Sequence, residues 1–137
     1  MVNNLQEKKM SAEKSLKYLV REIETKLEMC DQALKEFATR LEKDADQAFE
    51  WGMNAMMYAA NQKVCNQLLA HIKRLQENYP EPYDVLRIVH RGLRDEAINK
   101  ARWPERSTSP TANIMSQERG MALAEWYSKV DVYITQE

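Results

Sequence analysis

Leu16, Val20, Ile23, Leu27, Cys30, Leu34, Phe37 and Leu41 recur at alternating steps of four and three residues. That spacing draws one apolar seam along a helix, the heptad pattern with apolar a and d positions. Mostly Lys, Arg, Glu and Gln lie between the seam positions. Pairs such as Glu22–Lys26 stand at i,i+4 with the acid first, the favourable order. Ser11 suits an N-cap. The pattern predicts a long helix from about 11 to 43, with residues 1–10 as a flexible lead. The seam fits an intramolecular bundle, and it equally fits a coiled-coil dimer or a dock for a partner's helix.

The next stretch, KDADQ at 43–47, holds Asp44 and Gln47 at capping-box spacing. A capping box there would start a second helix at Ala45. No Gly or Pro marks a break, so one rod from 11 to 78 is the competing form. Such a rod would leave much surface unpaired, which favours an antiparallel hairpin of 11–43 and 45–78.

Within the second helix, residues 48–62 read AFEWGMNAMMYAANQ and carry a single charge, Glu50. Apolar side chains spread over more than one face until about residue 60, then narrow to Val64, Leu68, Ile72 and Leu75. A helix apolar around most of its circumference is normally buried. The pattern therefore predicts a central buried helix, with Trp51, Met53 and Met57 in the core. Methionine also serves adaptable binding surfaces, so the same three residues are candidates for a partner-binding face. Gly52 costs about 1 kcal/mol against Ala inside a helix, which suggests close approach of a neighbouring helix.

NYPEPY at 78–83 ends this helix, because the residue before each proline is pushed to extended backbone. Pro82 suits the first turn of a third helix and Asp84 its positive end. That helix runs from about 83 to 102, with Leu86, Val89, Leu93, Ala97 and Ala101 on its apolar face. WPERSTSPTAN, 103–113, reads as a loop. Ser109 and Pro110 form an N-cap and N1 pair for a fourth helix over about 110–134. Met115, Ala122, Trp126, Val130 and Tyr133 share its apolar face, with Leu123 beside them. Gly120 is a candidate break, and the β-branched VDVYIT end reads as helix because no other strand exists to pair with it. The fold class is all-α: a bundle built on a long helical hairpin, with two C-terminal helices as a smaller unit.

The composition agrees with this. A length of 137 residues fits one domain, and three Gly and four Pro are too few for many turns. Net charge is −1, spread as nine basic and nine acidic groups in 1–44, three and three in 45–80, eight and nine in 81–137. No global field favours nucleic acid or an anionic membrane. The low-charge run from Ala48 to Ala60 is 13 residues long, against about 20 needed to cross a bilayer. Two cysteines without a CxxC pair, and no apolar run after the N-terminal charges, point to the cytoplasm with reduced thiols.

The most specific polar feature lies on the third helix. At 100° per residue, Arg87, Arg91, Arg94 and Arg102 fall within about 80° of one another. Arg106 follows, with Trp103 between. Arginine forks onto phosphate or carboxylate, so the stripe is a candidate contact for nucleic acid, with Trp103 stacking on a base, or for an acidic protein. Ordinary salt bridging, for example Arg91 with Asp95, is the plainer reading. His71 and His90 lack metal-ligand spacing, and His90 reads as partly buried and hydrogen-bonded. Cys30 and Cys65 read as structural. Glycine-rich phosphate loops and nucleophile elbows are absent. No metal or cofactor is expected, and an enzyme is not. An enzyme would need a cleft gathering His71 or His90 with a carboxylate or thiol. The sequence points instead to a protein-binding module: an adaptor, an assembly factor, or an inhibitor that covers a partner's surface. The partner is another protein, with a nucleic-acid-processing complex among the candidates, since acidic helix faces fit a basic groove. A homodimer is a further form, and direct nucleic-acid binding through the Arg stripe is the alternative.

Overall fold

The computed structural model describes residues 4–102 and 109–135. It is all-α, with four helices and no strand among those residues: α1 (Asn4–Lys43), a single 3-10 turn (Ala45–Gln47), α2 (Ala48–Asn78), α3 (Pro82–Arg102) and α4 (Pro110–Thr135). Helices α1 and α2 form the expected hairpin. Helices α3 and α4 pack on each other and onto one part of it, α3 mainly against α1 and α4 mainly against α2.

The first helix begins earlier than its cap signal suggested. Residues 4–10 are helical, and Ser11 lies inside the helix rather than at its start. Residues 5–10 are Leu, Gln, Glu, Lys and Met, good helix formers without Gly or Pro, so nothing stops the helix at Ser11. At the other end the hairpin does break where expected, but not by the expected device. Asp44 leaves helical geometry at φ −133° and ψ 72° and makes no side-chain capping bond. Its amide instead donates to the Arg40 carbonyl at 2.9 Å. Backbone bonding and one 3-10 turn make the elbow.

The later boundaries follow the sequence closely. Ser109 Oγ accepts from the Ala112 amide at 3.3 Å, which satisfies one of the free donors of the first turn of α4. Gly120 does not split that helix, and VDVYI continues it.

One apolar core joins all four helices. Leu16, Leu19 and Ile23 of α1 meet Leu68 and Ile72 of α2, Leu86 and Val89 of α3, and Trp126 and Val130 of α4. Leu19 is fully buried, while Val20, the seam position chosen by spacing, packs half-buried beside it. The reason is that α1 faces two neighbours here, so its apolar stripe must be broader than a two-position seam. Polar ties fix the packing. Gln62 donates to Asp31 across the hairpin at 2.5 Å, and the Tyr133 hydroxyl donates to Glu22, tying α4 to α1.

Candidate functional site

The methionine-rich start of α2 is not core. Every buried residue of α2 lies at or beyond Ala60. Phe49 is 85% exposed and Met53 39%, while Trp51, Met56, Met57 and Tyr58 are half-buried. The expectation of a helix buried along its whole length is therefore corrected. The charge-poor segment forms the tip of the hairpin, past the part that α3 and α4 cover. Gly52 corrects a second expectation: no atom lies within 4 Å of where its Cβ would stand, so no helix approaches closely there.

Two apolar surfaces meet at this tip. At 100° per residue, Phe49, Met53, Met56 and Met57 lie on the same side of α2 as Ala60 and Val64. The stripe thus continues the core face of the helix, covered from Ala60 onward and only partly covered before it. Trp51, Asn54 and Tyr58 project to the other side. With Ala33, Phe37 and Arg40 of α1 they line a groove of about 160 Å³. Met53 and Met57 therefore share one surface, and Trp51 belongs to its neighbour. On α1 the seam loses cover in the same direction: Cys30 is buried, Leu34 and Phe37 are half-buried, and Leu41 is 36% exposed.

The arginine stripe stands only in part within the described residues. Arg87 and Arg91 are exposed, and the Arg94 side chain is half-exposed. Arg87 lies over the Tyr83 ring at 6.0 Å, a cation–π distance. The ion pair named from spacing, Arg91 with Asp95, does not form: Asp95 pairs with Arg94 at 3.7 Å. Among the described residues Arg91 has no ion pair. The Arg102 side chain, Trp103 and Arg106 lie outside the described residues.

His90 is half-buried and bonded, as its position suggested. Its Nε2 sits 2.8 Å from an Asp131 carboxylate oxygen, and its ring stacks on Tyr127 with centroids 5.1 Å apart. This link between α3 and α4 was not legible in the sequence, because 41 residues separate the partners. Cys30 and Cys65 are buried and free. Burial raises the Cys30 thiol, and burial followed by the neighbouring Cys30 pushes Cys65 up to about 11. Both stay protonated at neutral pH, so they are poor nucleophiles. Among the described residues no group of His, Cys, Asp and Glu is placed to hold a metal ion, and no helix is long and apolar enough to cross a membrane.

His71 does share a cleft with a carboxylate, Glu96, between α2, α3 and α4. That is the gathering the enzyme reading asks for. Its described lining contains no Ser, Thr, Cys, Lys or Tyr to act as a nucleophile. Sequence reading missed this cleft, although a signal existed. Gln67, His71 and Arg74 recur at steps of four and three, which draws a polar line beside the apolar one of Val64, Leu68, Ile72 and Leu75. Comparison with protein-family models, with curated proteins and with solved structures found no match for this chain.

Proposed function

We propose that this chain is a non-catalytic protein-binding module, an adaptor, assembly factor or inhibitor that covers a partner's surface with its hairpin tip. The observation that carries the reading is the continuation of the core stripe over Phe49, Met53, Met56 and Met57, with Phe49 and Met53 exposed and the other two half-buried. Contiguous exposed apolar surface on an otherwise charged chain marks an interaction site. Methionine and aromatic side chains are the types enriched in the centre of interfaces. Glu50 is the single charge in 48–62, so little desolvation of charge opposes docking. The reading places the protein in the cytoplasm, where two unpaired thiols persist. It also admits a homodimer formed through the same tips.

The test is a tagged pull-down from native host lysate, with and without nuclease, using the wild-type chain and the Phe49→Ser, Met53→Ser double variant. The expected result is a stoichiometric protein that survives nuclease and disappears with the variant. Equal recovery by both chains would take the tip out of the interface.

A second reading rests on Arg91, exposed and without an ion pair among the described residues, beside Arg87 and Arg94. Direct nucleic-acid binding through these residues, with Arg102 and Arg106, predicts affinity that falls steeply with salt. Charge reversal at Arg91 and Arg94 should abolish it. Binding that persists in that variant assigns the stripe to structure.

A further inference from the structure

The cleft between α2, α3 and α4 has a composition that neither reading uses. It encloses about 340 Å³, within the lower range of small-molecule sites, about 300–1,000 Å³. Leu68, Leu93 and Leu123 contribute apolar floor from three different helices. Among the described residues the rim carries two cations, Arg74 and Arg119, against one carboxylate, Glu96, with His71 between α2 and α3. An apolar floor under a positive rim selects an anion with an apolar body over a cation or a neutral polar molecule.

Arg119 supplies a second, independent observation. Its Nη2 donates to Gln67 Oε1 at 3.2 Å. Its Nε is buried and meets no acceptor among the described residues. Buried donors are almost always paired, and Glu96, although it lines the same cleft, forms no ion pair with Arg119 among the described residues. The outer Nη edge of a guanidinium fits a carboxylate, whose two oxygens can take two N–H groups together. Gly92 lines the cleft, and no atom lies within 4 Å of where its Cβ would stand.

We propose that this cleft binds a small organic carboxylate, its head group on Arg119 and its apolar body over Leu68, Leu93 and Leu123. This site is separate from the hairpin tip and does not depend on the tip's role. A short-chain acid such as octanoate is a probe of the right chemistry, and the floor does not call for a ring.

The experiment is calorimetric titration of the full chain with sodium octanoate, octanol and acetate. Octanoate should bind saturably at one site. Octanol lacks the charge and acetate lacks the body, so each should bind at least about tenfold more weakly, the loss expected for one charge-assisted contact or a few buried methylenes. Arg119→Gln should weaken octanoate by a similar factor. Gly92→Leu fills open space and replaces glycine within a helix, so it should fold and still abolish binding. Glu96→Gln removes the one negative rim charge and should tighten binding. Absence of heat with octanoate overturns the proposal. So does octanol binding as tightly as octanoate. Binding retained in Gly92→Leu would assign the heat to another surface, the hairpin tip included, and overturns it as well.

Discussion

The two ends of the α1–α2 hairpin have similar apolar content and opposite fates. Around Leu19, Ile23, Leu68 and Ile72, helices α3 and α4 cover the pair, and side chains are closed from water. Around Phe37, Phe49 and Met53, only two helices face each other, and each leaves an apolar side open. A pair of helices can bury the seam between them but not the flanks of a broad stripe. Four helices can bury both. The difference teaches that apolar residues in this chain have two uses: one closes the fold and the other remains available for contact.

The strongest way to sharpen that contrast is to truncate one anchor in each region. Trp126→Ala, at a fully enclosed site, should cost about 3–5 kcal/mol in urea unfolding followed by circular dichroism. Phe49→Ser should change stability by no more than about 0.5 kcal/mol. A loss of several kcal/mol at Phe49 would mean that the tip is covered in solution, and the contrast would fail. Next in size is the link that fastens α3 to α4 in the covered region. His90→Ala should cost about 1 kcal/mol, the usual worth of a partly buried hydrogen bond. Close behind, Gly52→Ala should stabilise the chain by about 0.5–1 kcal/mol, because the space beside it is open and glycine is a poor helix residue. Destabilisation there would reveal a close neighbour at the tip.

A further effect concerns alkaline pH. Burial, then the bond to Glu22, pushes Tyr133 up to about 12 from an ordinary 10, and Cys65 lies at about 11 against 9. Both groups bind more protons folded than unfolded in these windows, so their contribution is whole below pH 9 and is lost as pH rises to 12. Thermal melts should fall across that range, and Tyr133→Phe should flatten the upper part, from pH 10 to 12. An unchanged slope in Tyr133→Phe would exclude the phenol as the source.

Much of the fold could be read from the chain because its signals are local. Prolines at 80 and 82 and the Ser109–Pro110 pair fix helix boundaries within a few residues. The 3.6-residue period identifies Val64, Leu68, Ile72 and Leu75 as buried. What the period could not reveal is cover. Met53 and Leu68 look alike along α2, and only the placement of α3 and α4 separates an exposed stripe from a core. The candidate site was legible to the same extent: the tip residues were singled out, but as core before contact surface. The cleft around Arg119 needed three helices brought together from distant parts of the chain, and the Arg91–Asp95 pair failed because Asp95 turns to Arg94 instead.

The hydroxyl of Tyr133 reaches Glu22 across 111 residues of sequence, and that span has a consequence during synthesis. A helical hairpin forms within microseconds once its chain is free. A ribosome adds roughly 5–20 residues each second, so the stretch from the end of α2 to Val130 takes about 3–10 s. For those seconds the nascent hairpin lacks the cover of α4, and Leu68 and Ile72 are more open than in the finished core. The emerging chain thus presents to chaperones a far longer oily ridge than the finished molecule does, and α4 shortens it to the tip alone.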